Sequence, residues 1–172
     1  MEKEKYIWMD GEFVEWDSAN VHILTHTLHY GNGAIEGTKA YKTDCGRCAI
    51  FKLNEHTQRL LNSSKMTLMD VPFTLEELNK AQVELLAKNG LTEGAYIRPI
   101  VYLGAGVMGL YHKDAPVRVA VAAWKWGAYL GEEGLKKGVR VKISSFTRTP
   151  NTSGMGKAKA VANYLNSQMA KY

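Results

Sequence analysis

The chain has 172 residues, 45% of them hydrophobic, enough to bury one good core or a small domain plus part of a second. Its formal charge of +5 comes from 22 basic residues interleaved with 17 acids; without a clustered Lys/Arg block to track phosphates, nucleic-acid binding is not expected. Met1-Glu2-Lys3-Glu4-Lys5 is charged and no apolar run follows it, so neither a secretory signal nor a membrane association is expected, and the reading is a cytoplasmic protein.

In chain order, Tyr6-Ile7-Trp8-Met9 and Glu12-Phe13-Val14 flank Asp10-Gly11, the strongest short signal for a hairpin. A second hairpin is expected around residues 38 to 52, turning at Asp44-Cys45-Gly46-Arg47. Asn54 is the expected N-cap of a helix running to about Leu68, with Leu60, Leu61, Ser64 and Leu68 on one face. Thr74 and Glu77 form a capping box and Asn89-Gly90 a stop, which predicts a helix over 75–88. Ala95 to Leu103 and Val117 to Trp124 are rich in β-branched and aromatic residues and predict two strands. The three glycines of 126–134 read as a linker, Val139 to Ser145 as a new strand, and Ala160 to Tyr172 as helical in composition. The order is that of an α+β small domain followed by the start of another unit.

Two motifs are weaker than they look. Cys45 and Cys48 form a C-x-x-C, but a structural zinc site needs four ligands and no second pair is present, so the hairpin turn is the better reading and no metal is expected. Gly104-Ala105-Gly106-Val107-Met108-Gly109 matches G-x-G-x-x-G after a strand. Only Leu110 to Ala115 intervene before Pro116 and another strand, which leaves no helix to face a pyrophosphate, and no acid stands about 20 residues on to hold a ribose. His26 and His29 read as loop hydrogen-bonders, since no carboxylate or cysteine completes a metal set with them.

A lysine amine becomes a nucleophile when desolvation or nearby positive charge frees it of its proton. Lys159 lies among small residues beside Lys157, in Gly156-Lys157-Ala158-Lys159-Ala160-Val161-Ala162-Asn163-Tyr164. Lys159-Ala160-Val161-Ala162-Asn163-Tyr164 resembles the K-A-x-x-N-Y signature of branched-chain aminotransferases, which are fold-type IV pyridoxal-phosphate enzymes. His29-Tyr30-Gly31 with Ile35-Glu36-Gly37, Glu55-His56-x-x-Arg59-Leu60, Tyr96-Ile97-Arg98-Pro99 and Trp126-Gly127-Ala128-Tyr129-Leu130-Gly131 resemble the same family, in register along the whole chain. The last two segments favour branched-chain enzymes over D-amino-acid aminotransferases, which remain the alternative within the fold type.

The resemblance implies pyridoxal 5′-phosphate as cofactor. It implies that Lys159 bonds it as a Schiff base and moves the substrate proton, that Tyr164 meets its phenolic oxygen, and that Arg59 pairs with its phosphate. Arg98, in an apolar strand beside a proline, is costly to bury unless an anion meets it. By resemblance, Arg98 with Tyr30 and Tyr129 takes the side-chain carboxylate of glutamate, and Tyr96 the α-carboxylate. Ile35, Gly37, Met108 and Leu110 complete the substrate-binding set, with the Met108 loop and the Tyr30 segment expected to enter a neighbouring subunit's site in a homodimer or higher homo-oligomer. Lys39 is a departure, since many relatives carry arginine there; the charge is kept and the bidentate geometry is not.

The expected architecture is therefore a fold-type IV small domain, a sheet with two helices over 1–126. An interdomain linker follows over 127–134, and then the beginning of a larger β-rich, cofactor-binding domain over 135–172. The resemblance covers a little over half of the family's usual length, so the chain is expected to be an N-terminal portion. The glutamate that pairs with the pyridinium nitrogen and the turn and threonine that hold the phosphate would lie beyond it. The expected function is transfer of an amino group between Leu, Ile or Val and 2-oxoglutarate, with this chain alone inactive. The alternative is a non-catalytic dimerisation fragment.

Overall fold

In the computed structural model, residues 2–126, 131–148, 150, 152 and 154–171 are described. Strands β1 (Tyr6–Met9) and β2 (Glu12–Glu15) pair through the expected hairpin. Asp10 and Gly11 both take positive φ, 49° and 103°, the combination that a two-residue turn between twisted strands requires. Helix α1 (His26–Tyr30) leads into β3 (Gly33–Ile35) and β4 (Thr38–Lys42), and β5 (Cys48–Ile50) closes the second hairpin. Helices α2 (Leu53–Met66) and α3 (Leu75–Lys88) follow, then the long strands β6 (Gly94–Leu103) and β7 (Val117–Trp124). The strands form one antiparallel sheet in the order β2-β1-β7-β6-β4-β5, with β3 also on β6.

A single residue splits one edge of β6 into two pairings. Ile35 opposes Ile100 and Thr38 opposes Ile97, so β3 and β4 share one register. Between them Glu36 N–H donates to Pro99 O at 3.0 Å, but Pro99 has no N–H to return. The ladder breaks there. Alternation still holds through the break: Ala34, Glu36, Thr38 and Ala40 are buried on the helix side, which leaves Ile35, Gly37 and Lys39 on the other face.

On the helix side, Leu60 of α2 and Leu78, Leu85 and Leu86 of α3 meet Ile97, Val101, Val119 and Val121 of the sheet in one core. Trp8 and Phe73 stack edge to face at 5.0 Å, and Gln82 bonds Thr57 Oγ1 at 3.0 Å to tie the helices together. The Thr74–Glu77 capping box forms as expected.

Several expectations need correction. The N-cap of α2 is Lys52, at φ 54° and without a side-chain cap bond; Asn54 already lies inside the helix, where its Oδ1 accepts from Asn79 of α3 at 2.6 Å. Leu68 is not on the apolar face: α2 ends at Met66, and Leu68 takes φ 59° and faces solvent, 75% exposed. Val139 to Ser145 form no strand. Val141 and Ile143 stand almost wholly exposed, because a strand needs a ladder partner and no described residue supplies one. The linker expected over 127–134 lies in part outside the described residues, and its second half falls in α4 (Gly131–Lys137). Ala160 to Tyr172 is only partly helical: Ala160 bridges Ala34, a 3-10 turn covers Val161–Tyr164 and α5 spans Leu165–Met169. No described helix is long and apolar enough to cross a membrane.

Candidate active site

The sheet face away from the helices carries the polar residues that β6 cannot turn into the core. Tyr96, Arg98 and Ile100 alternate with buried Ala95, Ile97 and Val101, and Lys39 of β4 and Trp124 of β7 flank Tyr96 across the sheet. The segment carrying Lys159 is clamped over this face. Lys159 N–H donates to Ser63 Oγ of α2 at 3.0 Å, its carbonyl accepts from Ile35 N–H at 3.1 Å, and Ala160 bridges Ala34. Ala158 and Ala160 are buried beneath the chain, and the amine between them remains available.

The result is an open hollow of about 990 Å³ whose wall includes Lys159, Tyr164, Ile35, Tyr96, Arg98 and Trp126. Lys159 Nζ donates to Tyr164 Oη at 2.9 Å. In the same lining, Arg98 Nη2 donates to Tyr96 Oη at 2.8 Å, and the Tyr96 ring meets Trp126 edge-on at 4.5 Å. Arg98 Nε is buried with no hydrogen-bond partner among the described residues, a donor that costs free energy until something accepts from it. Gly37 stands where a Cβ would overlap the Tyr96 hydroxyl, so glycine there lets the tyrosine reach the arginine.

Lys159 and Tyr164 also line a second hollow of about 350 Å³, together with Arg59, Arg148 and Lys157. Arg59 does not stand alone. Its Nε and Nη2 donate to the two oxygens of Glu36, at 2.5 and 2.8 Å, and His56 Nδ1 meets Glu36 Oε2 at 2.9 Å. Among the described residues, neither hollow has an Asp or Glu in its lining. Both are electropositive and suited to anionic groups.

Of the residues singled out from sequence, Lys159, Tyr164, Arg59, Ile35, Gly37, Tyr96 and Arg98 gather here, and Lys39 lines the larger hollow beside them. Tyr30, Met108 and Leu110 do not line it; all three are exposed. They belong to one edge of the molecule, where His26 Nε2 meets Gly109 O at 2.8 Å and joins α1 to the glycine loop. Tyr129 lies outside the described residues. His26 and His29 are hydrogen-bonded to loop carbonyls, as expected. Glu36, Ser63 and Trp126 were not assigned roles from sequence. Only the Glu36 side chain left a clue, as a carboxylate at a position whose alternation demands burial.

Cys45 and Cys48 lie at the hairpin turn, both free. Hydrogen bonds from Thr43 and Arg47 bring the exposed Cys45 thiol down to about 7, whereas burial pushes Cys48 up. Among the described residues no three His, Cys, Asp or Glu side chains cluster as metal ligands.

Residues 33–172 match the family described as amino-transferase class IV. The chain belongs to that family. This class IV chain is 46% identical over 169 residues to a branched-chain-amino-acid aminotransferase of Pseudomonas aeruginosa, covering 98% of the chain and 54% of that protein. It is similar to the solved branched-chain amino acid aminotransferase of Escherichia coli, with 40% identity and a TM-score of 0.92, covering 96% of this chain and 54% of that one. It is also similar to the T.th. branched-chain amino acid aminotransferase solved with pyridoxamine 5′-phosphate, at 45% identity and a TM-score of 0.92, over 99% and 56% of the two chains. The chain thus spans about half the length of these relatives. The α+β fold, an antiparallel sheet with helices on one side, is that of the class IV branched-chain structures.

Proposed function

We propose that this chain contributes the lysine, the phosphate-facing arginine and the side-chain pocket of a branched-chain amino-acid aminotransferase with pyridoxal 5′-phosphate as cofactor. The observation that carries the reading is the position of Lys159 and Arg98 in one electropositive hollow, the amine held by Tyr164 and the guanidinium holding an unused buried donor. The residues fit the cofactor on their own chemistry: an amine for its aldehyde, a phenol beside that amine for its phenolic oxygen, and, for its phosphate, a lining with basic groups and no described acid.

Pyridoxal phosphate, when bound, supplies the electron sink that lets a substrate Cα–H bond ionise. Lys159 would hold the cofactor and then carry the proton that leaves the α-carbon. Tyr164 Oη sets the direction of the Lys159 amine, and Arg59 presents N–H donors to the phosphate. In the larger hollow, Ile35, Ile100 and Trp126 give apolar surface for Leu, Ile or Val, while Arg98 Nε gives a donor for the second carboxylate of 2-oxoglutarate and Tyr96 one for the α-carboxylate. One pocket can serve both substrates because each uses a different part of it.

Among the described residues, the lining offers no acid to pair with a pyridine nitrogen. The further residues of a full-length family member would supply it, and the exposed Tyr30, Met108 and Leu110 edge would serve a second copy in a homodimer or larger homo-oligomer. Assay of the 172-residue chain with leucine and 2-oxoglutarate is expected to give no turnover. Turnover by this chain alone would show that the site needs nothing more.

A further inference from the structure

The Glu36 carboxylate has no exposed surface, yet it accepts from four donors: Arg59 Nε and Nη2, His56 Nδ1, and Gly37 N–H at 3.3 Å. Burial by itself would push this carboxyl up. The bonds from Arg59 and His56 outweigh burial and hold it below its ordinary value. A buried anion is therefore committed to one edge of one guanidinium.

That edge matters because an arginine has five N–H donors in a rigid plane. Nε and Nη2 use two of them on Glu36, which leaves both on Nη1 and the outer one on Nη2. The Arg59 side chain is half exposed and lines the smaller hollow with Arg148, Lys157 and Lys159. Left unanchored, it would sample many rotamers and lose that freedom on ligand binding. Glu36 removes the cost from the binding step. It also offsets the charge of Arg59, so attraction of an anion falls to Arg148, Lys157 and Lys159, while Arg59 supplies direction.

We propose that Glu36, steadied by His56, is a positioning residue that acts through Arg59, aiming the three remaining N–H donors at a phosphate monoester in the smaller hollow. The identity of that monoester as the cofactor's phosphate rests on the proposed function; the aiming of Arg59 does not. The probes are inorganic phosphate, pyridoxal phosphate and pyridoxal, each titrated into the full chain and into Glu36→Gln, Arg59→Lys and the double variant. Glu36→Gln is expected to weaken phosphate and pyridoxal phosphate about tenfold, the effect of one misaimed charge-assisted hydrogen bond, and to leave pyridoxal within about twofold. The double variant is expected to bind phosphate no more weakly than Arg59→Lys, since Glu36 acts through that side chain.

Equal losses for pyridoxal phosphate and pyridoxal, additive losses in the double variant, or a wild-type chain indifferent to phosphate would each overturn the proposal. Should Glu36→Gln fail to fold, NMR of the wild-type Arg59 Nε–H decides. This proton is expected to stay slow to exchange with and without phosphate, and its release on phosphate binding would contradict the proposal. A chain that binds inorganic phosphate at Arg59 but never bonds pyridoxal phosphate at Lys159 would refute the cofactor reading and leave the role of Glu36 standing.

Discussion

Lys159 and Arg98, 61 positions apart in the chain, line the same hollow. The two side chains reach it by different means. Arg98 faces it because β6 alternates, and Lys159 because Ser63, Ala34 and Ile35 hold its backbone down on α2 and β3. The hollow is thus a product of tertiary packing, and its chemistry can be changed one wall at a time.

Arg98→Met tests carboxylate recognition. The buried Nε donor disappears while the stem volume is roughly kept, so apolar side chains should bind as before. If the proposed function holds, KM for 2-oxoglutarate in a full-length protein carrying this chain should rise by at least about tenfold, corresponding to about 1–3 kcal/mol for a lost bond to a charged group. KM for leucine should change less than about threefold. Equal changes for both substrates would remove Arg98 from carboxylate recognition.

Gly37→Ala tests the approach of Tyr96. The added methyl meets the Tyr96 hydroxyl, and the ring cannot withdraw freely because Trp124 and Trp126 lie 5.1 and 4.5 Å from it. The near-ultraviolet circular dichroism of the aromatic cluster should change and the Arg98–Tyr96 bond should be lost, with little change in the far-ultraviolet spectrum. An unaltered aromatic spectrum would mean that glycine is not required there.

Acid should loosen the Glu36 network. A carboxylate held below its ordinary value stabilises the folded state above the unfolded value near 4.5, and that contribution is lost as pH falls through the lower folded value. Thermal melting followed from neutral pH down past 4.5 should fall more steeply for wild type than for Glu36→Gln. At neutral pH the variant should be less stable by about 1–3 kcal/mol, because half-exposed Arg59 recovers part of its hydration. Parallel curves would show that Glu36 contributes no linkage.

The helical scaffold offers a control away from the site. Thr74→Ala removes the cap of α3 and should cost about 1 kcal/mol. Leu85→Ala opens the fully buried centre of the core and should cost about 2–5 kcal/mol. Denaturant unfolding reads both, and phosphate affinity should be unchanged in the folded variants.

What the sequence revealed and what it concealed divide along physical lines. Hairpins at Asp10-Gly11 and Cys45-Gly46, the capped helix α3 and the strands β6 and β7 follow from local turn chemistry and residue period, and all are present. Asn54 misled because Lys52 could enter the left-handed region and begin α2 two residues earlier than a polar cap would place it. Val139 to Ser145 misled because strand propensity needs a neighbour to be realised. At the candidate site, Lys159, Arg59, Tyr164, Tyr96 and Arg98 were singled out through segments that resemble a known family, and the fold brings them together around the two hollows. The Arg59–Glu36–His56 network was not, because it joins β3, β4 and α2 across a turn that only the broken ladder at Pro99 explains.

The most direct test is chemical trapping. The chain is mixed with pyridoxal phosphate, reduced with borohydride, digested and mapped by mass spectrometry, alongside Lys159→Ala. One phosphopyridoxyl group on Lys159 in the wild-type chain, absent from the variant, is the predicted result. Label spread over surface lysines such as Lys80 and Lys137, or undiminished in Lys159→Ala, would contradict it.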